Sequence, residues 1–143
     1  MDIAHTVSFF VFLIAGTIFD IRKRQIPVIL LAAAGIWGIL SYTVRTGWTG
    51  SALWDELSGL VMGAVFIGIS LISDGKMGMG DAIAILVTGI FLGGAGSAFA
   101  VLYALISAAL ISAVMLALKR GNGKTELPFM PFLLMGCLME KVV

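Results

Sequence analysis

Charge is what this chain has least of for its size. Only 12% of its 143 residues are Asp, Glu, Lys or Arg, about half of the ~25% found in ordinary soluble domains. Histidine and cysteine are scarcer still, with one of each, which excludes an internal disulfide, a cysteine-based zinc cluster and a histidine-rich metal centre. The nine basic residues stand against eight acidic ones, for a net charge of +1. They are too few and too scattered to track a phosphate backbone, so nucleic acid is not an expected partner.

What the chain has in quantity is apolar surface, with 60% hydrophobic residues and a mean hydropathy of +1.11. It reads as an all-α, polytopic membrane protein whose solvent is the lipid bilayer. The first apolar stretch has neither a basic leading region nor a small-residue cleavage site, so it is expected to be retained rather than removed as a signal peptide. Apolar runs at 3–19, 27–44 and 57–73 each approach the ~20 residues needed to cross the hydrocarbon core. The run at 82–118 is too long for one crossing, and the GGAG of Gly93 to Gly96 divides it into a short fourth span and a longer fifth. A sixth run, 127–139, begins with Pro128 and Pro131, which suit the first turn of a helix where no N–H partner is lost. The expectation is six transmembrane helices forming a single membrane-embedded domain over residues 1–143, with no separate soluble domain.

The basic residues then assign sides. Arg22, Lys23 and Arg24 follow the first span, Lys76 the third, and Lys119, Arg120 and Lys124 the fifth, whereas only Arg45 and Lys141 fall on the opposite side. By the positive-inside rule both termini lie outside and the loops after spans one, three and five are cytoplasmic. On this topology Asp20 closes span one and Asp81 opens span four, at one depth and on one side. Asp2, Asp55, Glu56 and Glu140 fall outside, while Asp74 and Glu126 lie in cytoplasmic loops.

An ionisable residue at a helix end within a bundle marks function by default. Position alone leaves alternatives open: Asp20 as an interfacial residue or a salt-bridge partner of Arg22, Lys23 or Arg24, and Asp81 as the N-cap of span four. Together the two suit aspartic peptidase chemistry. Carboxylates close enough to share a proton cannot both ionise easily, so one serves as acid and the other as base without a metal or covalent nucleophile. Gly78 and Gly80 suit a turn that holds Asp81 and admits a substrate backbone. His5 falls at the wrong end to join the pair and is expected to be a packing or interfacial residue. Cys137 is expected to pack or to face lipid, and Ser70 and Ser107 to pack or bond between helices. In span three, Gly59-x-x-x-Gly63 invites close backbone approach.

Three stretches in order, FDIRKRQIP at 19–27, GKMGMGD at 75–81 and LPFMPFLLMG at 127–136, resemble the type IV prepilin peptidases, intramembrane aspartyl proteases of the GxGD type with six helices. The resemblance implies that Asp20 and Asp81 are the catalytic pair, with Gly78, Gly80, Pro27, Pro128 and Pro131 as motif positions around them and no cofactor. It implies a substrate as well: a prepilin or pseudopilin whose short basic leader is cut off at the cytoplasmic face, typically after a glycine, leaving its hydrophobic helix in the membrane. Asp74 and Glu126 are candidate contacts for such a leader.

The chain departs from the family pattern at Val28, where Asn is frequent, at Met130, where Gly is common, and after Asp81. There Ala82-Ile83-Ala84 lacks the lysine that many members place two positions beyond the acid. The cysteine-paired segment of the bifunctional members is not seen, so a peptidase without methyltransferase activity is expected, similar to the short enzymes of tight-adherence pilus systems or the archaeal preflagellin peptidases. The competing readings are a small transporter or channel subunit using the same acids for cations or protons, and a membrane scaffold for pilus assembly indifferent to loss of the acids.

Overall fold

The computed structural model describes residues 3–47, 49–74, 76–124 and 126–143; Asp2 and Gly75 lie outside them. The described residues form helices and connecting turns, without strands, in the order α1 (Ile3–Lys23), α2 (Val28–Thr46), α3 (Gly50–Ile72), α4 (Met79–Ala117) and α5 (Met130–Val142). By length and apolar composition, α1 to α4 are each able to cross a membrane. The chain is a membrane protein.

Helix α1 shows how such a chain sorts its faces when both are apolar. Val7, Val11, Ile14, Ile18 and Ile21 are each at least half exposed, at the three- and four-residue spacing of one helical stripe. The opposite stripe, His5, Phe9, Phe12, Leu13, Gly16 and Asp20, is buried. An exposed apolar stripe suits lipid, and the buried one carries the polar residues at its two ends. The helix stops where Arg24 turns to a φ of 50° while its N–H still reaches the Asp20 carbonyl at 2.9 Å. Pro27 then opens α2 in extended conformation, and its carbonyl accepts the N–H groups of Leu30 and Leu31 at 3.0 and 3.2 Å.

The hydrogen-bonded run of α4 is 39 residues long, but Gly93 within it is not helical, with φ 70° and ψ −175°. A straight helix of that length spans about 58 Å. Its first turn nevertheless lines the same cavity as Gly123 and Lys124, only six and seven residues past its other end. The chain therefore doubles back at Gly93, in arms 79–92 and 94–117, at the glycine cluster where the hydropathy pattern places a break. Glycine is needed there for its positive φ, and the Asp55 carboxylate packs where a β-carbon would stand.

Small residues set the packing. Gly59 of α3 lies against the Gly89 carbonyl and Gly63 against the Leu86 backbone, so the expected close approach through G-x-x-x-G is realised, with the first arm of α4 as partner. Gly136 of α5 seats the same way on the Ala100 carbonyl of the second arm. Phe9, Leu13, Ile85, Met130, Leu133 and Cys137 fill the core between α1, the two arms and α5. Cys137 is wholly buried, a packing residue rather than a lipid-facing one.

Candidate active site

Two ends of this bundle carry buried polar groups. At one end His5 is 2% exposed. Its Nδ1 lies 2.9 Å from the Ser41 hydroxyl, its Nε2 3.3 Å from the Phe91 carbonyl, and its ring 4.8 Å from that of Phe91. The residue ties α1 to α2 and to the first arm of α4, a packing role of the expected kind.

At the other end Asp20 is 6% exposed on the last turn of α1. Its Oδ2 accepts the backbone N–H of Met130 at 2.9 Å. Met130 is the first residue of α5, whose leading N–H groups have no acceptor within the helix and carry the positive end of its dipole. A carboxylate from another helix thus satisfies a donor that α5 cannot satisfy itself. No side chain at the N-cap position does so. Among the described residues Asp20 forms no ion pair with Arg22, Lys23 or Arg24.

Asp81 sits in the first turn of α4, again where an anion suits the helix dipole. It is not the N-cap: that position belongs to Gly78, whose carbonyl accepts the N–H groups of Asp81 and Ala82 at 3.1 and 3.2 Å. A β-carbon on Gly78 would lie 3.0 Å from the Asp81 Oδ2, pressing on the carboxylate. At Gly80 a β-carbon would meet only ordinary contacts, 3.7 Å from Ile26. Space is therefore tight at Gly78, where the carboxylate would have to yield, and ordinary at Gly80.

The two carboxylates come from positions 61 residues apart in sequence, yet both line one cavity of about 1010 Å³. Gly78, Gly80, Glu126 and Pro128 also line it. Asp74, Pro27 and Pro131 do not. Asp74 sits on the α3–α4 turn with φ 51°, Pro27 opens α2, and Pro131 stands in the first turn of α5 next to the Met130 donor. Three cations join the lining: Arg24, Lys76 and Lys124, from three separate connections. In the sequence these cations mark sidedness, and Arg24 is also an ion-pair candidate for Asp20; the approach of Lys76 and Lys124 to the pair has no signature there. Nor has the Met130 donor, since backbone groups leave no trace in side-chain identity. Among the described residues no cluster of three His, Cys, Asp or Glu side chains is placed to hold a metal ion.

An all-helical membrane protein with two acids facing one cavity at a bundle end is the class these observations define. The sequence model of the type IV leader peptidase family matches residues 7–116, and the chain belongs to that family, which makes it a protease. The matched region includes both aspartates and ends before α5, the helix whose first N–H holds Asp20. No curated protein and no solved structure matches the chain.

Proposed function

We propose that this chain is an aspartic endopeptidase that removes the basic leader from type IV prepilins or pilin-like precursors, with Asp20 and Asp81 as its catalytic pair. The observation that carries the reading is the meeting of these two carboxylates, from α1 and α4, on one cavity. In the reaction one carboxylate takes a proton from water as the water oxygen attacks the scissile carbonyl. The other, as a carboxylic acid, protonates the carbonyl oxygen, and collapse of the tetrahedral intermediate sends a proton to the leaving amine. Mutual repulsion between the acids favours the singly protonated pair that this division requires.

The membrane arrangement that fits is six crossings, counting both arms of α4 and α5, with both termini outside and the cavity facing the cytoplasm of a cell membrane. Arm 79–92 and α5 are about 21 and 20 Å long at 1.5 Å per residue, short against a hydrocarbon core of ~30 Å. Both begin at the cavity. Short helices there recess the acids below the membrane surface, where a bond just outside a precursor's apolar helix would lie. The exposed Glu126 on the rim is placed to meet a basic leader; Asp74, off the cavity, is a weaker contact.

The test is leader removal from a co-expressed prepilin by the wild type, Asp20→Asn and Asp81→Asn. Loss of cleavage by ~10²- to 10⁴-fold in each variant, the usual range for general acid–base groups, is expected. Cleavage by both variants would defeat the assignment. A transporter using the same acids would instead lose ion flux in both while showing no leader release at all.

A further inference from the structure

The turn that delivers Asp81 is held by a residue that neither the motifs nor the proposed chemistry uses. Hydroxyls on membrane helices commonly donate back to a carbonyl three or four residues earlier in their own helix. Thr17, Thr43, Thr88, Ser97 and Ser107 do so here, to Leu13, Ile39, Ala84, Gly94 and Ala104. Ser70, near the end of α3 and 4% exposed, does not. Its hydroxyl donates forward across the turn to the Met77 carbonyl at 2.8 Å. The Met77 N–H in turn approaches the Ser73 hydroxyl at 3.4 Å, and the Lys76 N–H donates to the Ser73 carbonyl at 3.1 Å.

Met77 stands one residue before the N-cap of α4, so its carbonyl has no acceptor role within that helix. Ser70 therefore fixes the plane of the peptide between Met77 and Gly78. In a trans peptide the carbonyl and the following N–H point in opposite directions, so locking the Met77 carbonyl onto α3 turns the Gly78 N–H away from α3. Gly78 is also the residue on which a β-carbon would come within 3.0 Å of the Asp81 Oδ2, and its carbonyl starts the helix that carries Asp81.

We propose that Ser70 is a positioning residue of the protease, whose forward hydrogen bond sets the Met77–Gly78 peptide and through it the location of the Asp81 carboxylate. This rests on the reading of Asp81 as catalytic. A misplaced carboxylate lowers the rate of the chemical step more than it weakens precursor binding. Removing the hydroxyl in Ser70→Ala is expected to lower kcat by about 2- to 13-fold, the loss of one hydrogen bond expressed as a rate. KM should stay within about twofold; the orphaned Met77 carbonyl should lower thermal stability in detergent modestly, while kcat per folded molecule falls as stated. Ser70→Thr, which keeps the hydroxyl, should recover most of kcat, and the near-isosteric but weakly donating Ser70→Cys should fall between.

The assay uses the full chain and a synthetic precursor with a lysine-rich leader, a glycine and about 20 apolar residues, read by release of the leader. Asp81→Asn runs beside the Ser70 variants. If the wild type and Asp81→Asn release leader alike, or neither does, the catalytic reading fails. If only the wild type cleaves and Ser70→Ala turns over at the wild-type rate, or raises KM with kcat intact, the positioning role alone is overturned. Activity lost by Ser70→Ala and Ser70→Cys only in proportion to lost thermal stability would overturn it as well.

Discussion

Helix α1 carries one buried polar side chain near each end, and the two are used differently. His5 and Asp20 share a stripe, about 22 Å apart at 1.5 Å per residue, and both are almost wholly removed from solvent. His5 has a protein partner at each ring nitrogen, in a corner closed by Ser41 and Phe91. Asp20 has a partner at one oxygen, the Met130 N–H, and borders a cavity that Asp81 also lines. A fully partnered polar group holds helices together. A half-partnered one, on open space that a second acid also lines, fits the proposed chemistry. Burial alone does not separate structural from functional polar groups; the accounting of their partners does.

The comparison is broken or sharpened by changes at each end, the largest effects first. Asp20→Ala and Asp81→Ala should each abolish leader cleavage, by ~10²-fold or more. Asp20→Ala alone should also cost about 1–3 kcal/mol in stability, because it strips the buried Met130 N–H of its acceptor; thermal unfolding in detergent separates the two. Equal stability loss in both would mean that the Met130 bond carries no weight.

Next comes Gly59→Val, which forces a branched side chain onto the Gly89 carbonyl, a backbone atom with little room to yield. Destabilisation of about 1–3 kcal/mol or more is expected from such overpacking, with activity lost only as folded protein is lost. His5→Ala should destabilise by about 1–3 kcal/mol through its orphaned partners and leave kcat of the folded fraction unchanged. A fall in kcat at constant stability would place His5 on the functional side of the comparison.

The smallest effect belongs to the rim. Glu126→Lys should raise KM for a lysine-rich leader up to about 5-fold, the scale of an exposed ion pair, whereas Asp74→Lys, off the cavity lining, should move it less. The reverse order, measured by initial rates over a range of precursor concentrations, would move the leader's path to the α3–α4 turn.

Much of this was legible in the sequence for a definite reason. Hydropathy reports transfer into lipid residue by residue, so the apolar runs could be read without coordinates, whereas the choice between packing and interfacial roles for His5 needed its contacts with Ser41 and Phe91. The glycine cluster at 93–96 announced a break because positive φ is a local property of glycine, and the reversal falls on Gly93. The Gly59-x-x-x-Gly63 motif announced close packing, though not that Gly89 and Leu86 would be the surfaces approached. Asp81 is the instructive case. Its residue type and place before an apolar run suit an N-cap, but the backbone puts Gly78 there and moves the carboxylate one turn in, toward the cavity.

By itself, then, the sequence determined the apolar solvent of this protein, and it pointed to one side for most of its cations and to two acids to pair, since each depends on residue type and on distance along the chain. Only the tertiary structure decided that α4 folds back so that its first turn and the connection after it line one cavity. It alone decided that Met130 and Ser70 hold the backbone around the acids and that Arg24, Lys76 and Lys124 share their space. Those outcomes rest on backbone hydrogen bonds and on contacts between segments far apart in the chain, which become defined only when the helices pack.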